Sequence, residues 1–272
     1  MNDLSAMVIE YLSVAVAILI LLLAALSDLQ TREVNDVHWM GIVALATMLS
    51  VKEDAADSLL RIMSILTLSL YLFSTRIVGL RAAVVLISVF LMLSEDYLIS
   101  GDPSALVILV MVPILLILYH ARVIRGGADV KALIVLTLAF PAFPEIHYLL
   151  WQPVYPEALV FNPVFTTMVL ALLMACLVPL YLLFRGRGDH PDLISFSMPL
   201  DVARSSFVWP VQDHQDGMLV RTRIPDDPAE VYDRLEANGV ENVRVTPMIP
   251  FIVPIAVGFT ATMTLGSPLM LI

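Results

Sequence analysis

Four stretches of this chain carry no charged residue over lengths that a water-soluble domain rarely sustains. They run from Tyr11 to Ser27, from Pro103 to Tyr119, from Ala158 to Phe184 and from Thr246 to Ile272. In a bilayer every backbone N–H and C=O must be satisfied within the chain, which leaves helices for runs that are continuously apolar. A spanning helix needs about 20 predominantly apolar residues, with about 17 as the lower bound. The 272 residues are 59% hydrophobic and only 15% charged, with a mean hydropathy of +0.88. Soluble domains carry about a quarter charged residues. The fold class expected is an all-α polytopic membrane protein with six to eight transmembrane helices and a small cytoplasmic α+β module.

The candidate spans are about 7–28, 37–51, 59–75, 79–94, 103–120, 130–150, 160–184 and 247–270. If one short adjacent pair forms a hairpin that does not cross, six remain and the sidedness of later loops is unchanged. The first run has no basic segment before it and no small-residue cleavage site after it, so it reads as a retained helix. The expected organisation is transmembrane catalytic helices over 1–184, a cytoplasmic module over 185–246 and a final transmembrane helix over 247–272.

Sidedness follows from Lys and Arg. Of the 15 such residues, all but Lys52 and Arg61 fall on one set of alternate loops or in the polar 185–245 region. That set is expected to be cytoplasmic, with both termini outside. Within the polar region, Met218–Ile224 alternates like a strand. Asp227, Pro228 and Glu230 supply an N-cap, a first-turn proline and a first-turn acid for a helix to about Asn238. Gly239 suits the left-handed position after it. Glu241–Val245 reads as a further strand.

A net charge of −10 gives the whole chain no basic footprint for nucleic acid. Its single cysteine, Cys176, excludes an internal disulfide and a cysteine-based zinc site and reads as a small buried hydrophobe. His38, His120, His147, His190 and His214 lie on separate segments, none at metal-ligand spacing, so neither a metal nor a cofactor is expected. Trp39, Tyr97 and Trp151 read as interfacial aromatics. Glu53, Asp54, Asp57, Glu95, Asp96, Asp102, Glu145 and Glu157 read as solvated outer-loop charges.

Two aspartates stand out. Asp28 closes the first apolar run in Ser27-Asp28-Leu29-Gln30-Thr31-Arg32-Glu33, and Asp129 opens a later one in Gly126-Gly127-Ala128-Asp129-Val130-Lys131. The topology puts both near the cytoplasmic interface, where ionisable groups at membrane depth are functional candidates by default. Two carboxyls sharing one proton can activate water and polarise a peptide carbonyl. Helix-end dipoles assign the proton to Asp28, at a helix C-terminus, and the charge to Asp129, at a helix N-terminus. Gly126, Gly127 and Ala128 are small enough for close approach of another helix or an extended substrate. Lys131, Arg32, Glu33 and Asp36 are candidate supporting or substrate-binding residues.

With these motifs the chain resembles the type IV prepilin-like aspartic peptidases, most of all the archaeal preflagellin (archaellin) and prepilin peptidases. Ser27–Asn35 is similar to that family's first aspartate and the basic, polar loop after it. Gly126–Lys131 resembles its Gly-x-Gly-Asp motif, with Ala128 in place of the second glycine. Thr246-Pro247-Met248-Ile249-Pro250-Phe251-Ile252-Val253-Pro254 is similar to the start of the last helix in the archaeal enzymes. The resemblance implies Asp28 and Asp129 as the catalytic pair. It also implies preflagellin or prepilin-like precursors as protein partners, alongside membrane lipid, with signal-peptide cleavage at the cytoplasmic face of the cell membrane. The cysteines of the bacterial zinc domain are absent, and N-methylation is not expected. Three other readings remain: a presenilin-like intramembrane protease, although no tyrosine precedes Asp28 and no Pro-Ala-Leu motif is present; a transporter using the aspartates as proton or cation sites; and a non-catalytic assembly factor docking through the polar module.

Overall fold

The helix that carries Asp129 is apolar on every side, and its surroundings match. In a computed structural model of the chain, α6 (Gly127–Ala139) buries Val130 and every residue from Ala132 to Ala139. A helix hydrophobic all round belongs at the centre of a bundle or in a membrane. The structure describes residues 3–51, 55–74, 79–144, 150–151, 160–177, 180, 195–215, 217–222, 225 and 227–271. Lys52, Arg76, Arg185, Arg187, Arg223, His147, His190, Glu53, Asp54, Glu145 and Glu157 lie outside them.

The chain divides into two units, Met1–Leu172 with Phe251–Ile272, and Leu173–Pro250. In the first, α6 packs against α2 (Asp36–Leu49), α5 (Pro103–His120) and α10 (Ile252–Leu265). Helix α1 (Asp3–Thr31) packs on α10 and α2, while α3 (Ala55–Phe73) and α4 (Leu80–Ser100) pair beside α5. Helix α7 (Pro163–Ala175) meets α10 where a Cβ on Gly258 would lie 2.9 Å from the Thr167 carbonyl, so only glycine permits that approach. Thr166 and Ser267 share a hydrogen bond of 2.9 Å near the same contact. Long apolar side chains on α1 and α4, such as Leu12, Leu19, Ile87 and Leu91, are exposed, as a lipid-facing surface requires.

Among the described residues, three helices are long and apolar enough to cross a membrane: Met7–Thr31, Leu80–Ser100 and Pro103–His120. Asp36–Leu49, Ser58–Phe73, Pro163–Ala175 and Ile252–Leu265 are apolar but shorter. This is fewer than the expected six to eight. The span anticipated over 130–150 shows why. Helix α6 stops at Phe140, which has φ −132° and ψ 65° and precedes Pro141. A residue before proline is driven out of the helical region. Thirteen residues rise about 20 Å, short of a hydrocarbon core of about 30 Å.

The second unit holds an antiparallel sheet in the order β1 (Phe196–Pro199), β5 (Asn242–Pro247), β2 (Val208–Pro210), and a hairpin of β3 (Gln212–Gln215) and β4 (Met218–Arg221). Helix α8 (Leu200–Ser205) and helix α9 (Pro228–Ala237) pack with it. Helix α9 starts as expected: the Asp227 side chain accepts from the Ala229 N–H at 2.8 Å, and Pro228 stands in the first turn. Gly239 has φ +71°, the left-handed conformation expected after the helix. Leu235, Val243 and Val245 are fully buried in the unit's core. Burial raises the Tyr232 hydroxyl above its ordinary range, and that hydroxyl donates to the Val208 carbonyl at 3.1 Å. Asp213 is buried and receives the Arg234 fork at 3.2 and 2.9 Å, which holds its carboxyl below the usual carboxylate range.

Three expectations change. Cys176 is exposed rather than buried, because it lies past the end of α7 instead of inside a longer helix. Trp39 is fully buried in the core rather than interfacial, since it faces inward from the first turns of α2. Asp96 and Asp102 are not solvated loop charges: α4 continues to Ser100, which carries Asp96 into a buried ion pair with Arg61, whose Nη1 also reaches Asp102 at 3.0 Å.

Candidate active site

Helix α1 continues one turn past the end of its charge-free run, so Asp28 sits on the helix and is only 8% exposed. Its last turn closes on Arg32, whose backbone N–H donates to the Asp28 carbonyl at 3.1 Å with Arg32 at φ +58°. The Arg32 Nη1 donates to the same carbonyl at 3.2 Å. The guanidinium therefore stays beside Asp28, and its charge acts on the Asp28 carboxyl.

The Asp28 side chain is oriented by a group from the other end of the sequence. Its Oδ2 accepts the backbone N–H of Ile252, in the first turn of α10, at 3.2 Å. The first N–H groups of a helix have no partner within it and so are available to a carboxylate. Pro254 fits this first turn, where a missing N–H disrupts no helical hydrogen bond. The positive end of α10 thus faces Asp28, and the dipoles of α1 and α6 alone no longer separate the two carboxyls.

Asp129 stands in the first turn of α6 and folds back over the residue that caps it. A Cβ on Gly126 would lie 2.6 Å from Asp129 Cγ and closer still to Oδ2. The first glycine of the motif therefore leaves room for the catalytic candidate's own carboxyl. At Gly127 an added Cβ would come no closer than 3.8 Å, to the Tyr119 hydroxyl, and Ala128 packs partly buried against the core. Asp28 and Asp129 lie near enough for the charge of one to act on the other. Neither carboxyl is in an ion pair among the described residues.

The supporting candidates divide. Lys131 Nζ bonds both oxygens of Asp36, at 2.7 and 2.9 Å, and lies 5.5 Å above the Phe73 ring. Its charge is directed to α2 and α3, and it links the start of α6 to the start of α2. Glu33 is exposed in the turn between α1 and α2, where its backbone carbonyl accepts from the Ser27 and Thr31 hydroxyls. Arg125 is exposed before Gly126. Among the described residues, no group of three or more His, Cys, Asp or Glu is placed to hold a metal ion.

Two components escape a reading of side chains in sequence. One is the Ile252 N–H, a backbone donor whose only trace is the proline-rich approach to α10. The other is the Arg61–Asp96–Asp102 group at the opposite ends of α3, α4 and α5, with Arg61 and Asp96 separated by 35 positions. No protein-family model matches the chain, and no curated protein matches it.

Proposed function

We propose that the protein is a membrane-embedded aspartic endopeptidase that removes the signal peptide of preflagellins or type IV prepilin-like precursors. The observation that supports this reading is the convergence of helix ends around the two aspartates: Asp28 accepts the Ile252 N–H from the first turn of α10, and Lys131–Asp36 ties the start of α6, which carries Asp129, to the start of α2. In the reaction, the ionised member of the pair takes a proton from water as the water attacks the scissile carbonyl. The protonated member donates to the carbonyl oxygen, and the proton taken from water then passes to the leaving amine. Arg32, Gly126, Gly127, Ala128 and the Lys131–Asp36 pair hold the two helix ends, and Glu33 faces the substrate's basic segment.

In this reading, six to eight helices cross the membrane, the shorter apolar ones included. The aspartates lie near the cytoplasmic face, and both termini are outside. The Lys and Arg distribution supports that orientation. The test is to incubate the purified protein with candidate preflagellins and prepilins and determine the new N-termini by mass spectrometry. One new N-terminus at the junction between the basic segment and the apolar helix is the expected result. Cleavage inside the apolar helix would instead indicate a presenilin-like protease. A transporter is the second reading, on the observation of the buried Arg61–Asp96 pair. Ion flux in proteoliposomes that requires Asp96 would favour it.

A further inference from the structure

Helices α4 and α5 enclose a groove of about 640 Å³ with Leu68 of α3 at its floor. Leu93, Ile108, Val112, Pro113 and Leu116 line it, and nearly every contact surface is apolar. Pro113 stands inside α5, where its ring and missing N–H prevent regular packing of the preceding turn. Both walls are helices long and apolar enough to cross a membrane. Ile87, Phe90 and Ile117 on its rim are 59%, 53% and 65% exposed, which leaves it open to the surrounding phase.

The polar end of the groove leads into a turn that carries two arginines, Arg122 and Arg125. His120 and Ala121 close this end, and Arg122 follows directly in the chain. The His120 Nδ1 donates to the Leu116 carbonyl at 2.7 Å, which ties the ring to its own helix at the mouth of the groove. Arg122 and Arg125 are exposed, and neither is in an ion pair among the described residues. Arg122 also occupies the left-handed position after α5, at φ +58°. There the Val123 N–H bonds the Leu118 carbonyl and the Arg122 N–H bonds that of Tyr119. Glycine is the residue usually found there.

We propose that this groove binds one acyl chain of an anionic membrane phospholipid, with the headgroup phosphate held by Arg122 and Arg125. Size and charge select this occupant. A spanning helix about 30 Å long and 10 Å across fills roughly 2,400 Å³, several times the groove. A groove of 640 Å³ lies within the range of about 300–1,000 Å³ typical of small-molecule sites. The bound lipid would rest against the α5–α6 turn that leads to Asp129. The site does not depend on the peptidase reading.

The test is native mass spectrometry of the full chain in detergent, with phosphatidylglycerol or phosphatidylcholine added. One retained phosphatidylglycerol is expected, at least tenfold preferred. Arg122→Gln and Arg125→Gln should each lower that preference by about fivefold, the effect of one basic residue beside an anionic lipid. Ile117→Trp and Ile87→Trp, both at exposed rim positions, should reduce retention of either lipid. Asp28→Asn should leave retention unchanged while testing the peptidase reading separately. Equal retention of the two lipids, or full retention in both tryptophan variants, overturns the proposal. So does a photo-crosslinker at Phe90 that captures a precursor protein in membranes instead of lipid.

Discussion

The two ends of the helical bundle treat buried carboxylates in opposite ways. At one end Asp96 is fully buried, and its Oδ2 receives Arg61 Nε at 2.9 Å and Nη2 at 2.7 Å, with Asp102 completing the group. At the other, neither Asp28 nor Asp129 is in an ion pair among the described residues, although the Arg32 charge acts on Asp28. Lys131 holds Asp36, and Arg32 caps its own helix. A carboxylate kept for architecture is neutralised, because an uncompensated buried charge is costly. Two carboxyls left without such a partner suit acid–base chemistry, which needs an exchangeable proton, better than they suit architecture.

The largest effect should come from neutralising either member of the unpaired end. Asp28→Asn and Asp129→Asn keep the volume but remove the exchangeable proton. Each is expected to lower precursor cleavage by about 10²–10⁴-fold, with expression and thermal unfolding of the purified protein nearly normal. Substantial cleavage by either variant would remove the chemical side of the comparison. At the paired end the effect should reverse. Arg61→Ala leaves Asp96 buried without its partner and is expected to destabilise the fold by about 3–5 kcal/mol. The double variant Arg61→Met with Asp96→Leu should recover most of that loss. Unfolding midpoints in detergent would show both. A single variant Arg61→Ala that unfolds like the wild type but loses ion flux would move Arg61 and Asp96 from architecture to function.

Local physics explains which parts of this arrangement were legible in the sequence. Helix α9 was readable because Asp227, Pro228 and Gly239 each act within a turn of their own positions. Asp28 and Asp129 were readable because charge at the edge of an apolar run is costly and so conspicuous. The pairing of Arg61 with Asp96 was not, since it depends on how far α4 extends and on which face of α3 meets it. The local partner of Gly126 was hidden for a related reason. Its size suggested approach by another helix or an extended substrate, and the space its missing Cβ leaves is occupied by the side chain three residues along its own helix. Strands β1, β2 and β3 were missed because they are three or four residues long, and β5 supplies the order that makes them a sheet.

Asp213 sharpens the comparison by offering the Arg61–Asp96 arrangement outside the membrane helices. Its arginine partner is 47% exposed, so water screens the pair, and its contribution should be only about 1 kcal/mol. The folded-state carboxyl lies below its ordinary range. The pair therefore stabilises the unit fully above the unfolded value of about 3.9 and loses that contribution as pH falls below it through the folded value. In the full chain, Asp213→Asn should speed amide exchange in β2 and β3 by about fivefold at pH 7 relative to wild type, an effect equivalent to about 1 kcal/mol. The gap should close toward pH 3. A gap unchanged by acid would mean that the hydrogen-bond geometry, rather than the charge, holds this edge.

The smallest effect concerns the exposed charge beside the unpaired end. Glu33 follows Arg32 in the turn after α1, with its backbone carbonyl fixed by Ser27 and Thr31. Its carboxylate is exposed and in no ion pair among the described residues. In the proposed reading the precursors carry basic residues just before the cleavage site, and Glu33 would meet that segment. A partly exposed ion pair contributes about 0.2–1 kcal/mol, which corresponds to at most about fivefold in specificity. Glu33→Lys should therefore lower kcat/KM for a basic precursor by about two- to fivefold, and reversing one basic residue of that precursor should restore part of the loss. Raising the salt concentration should shrink the difference, because the pair lies in water. Equal losses for the basic and the charge-reversed precursor would show that the residue supports the turn through its backbone alone, and would leave the Asp28–Asp129 end without a charge-reading approach.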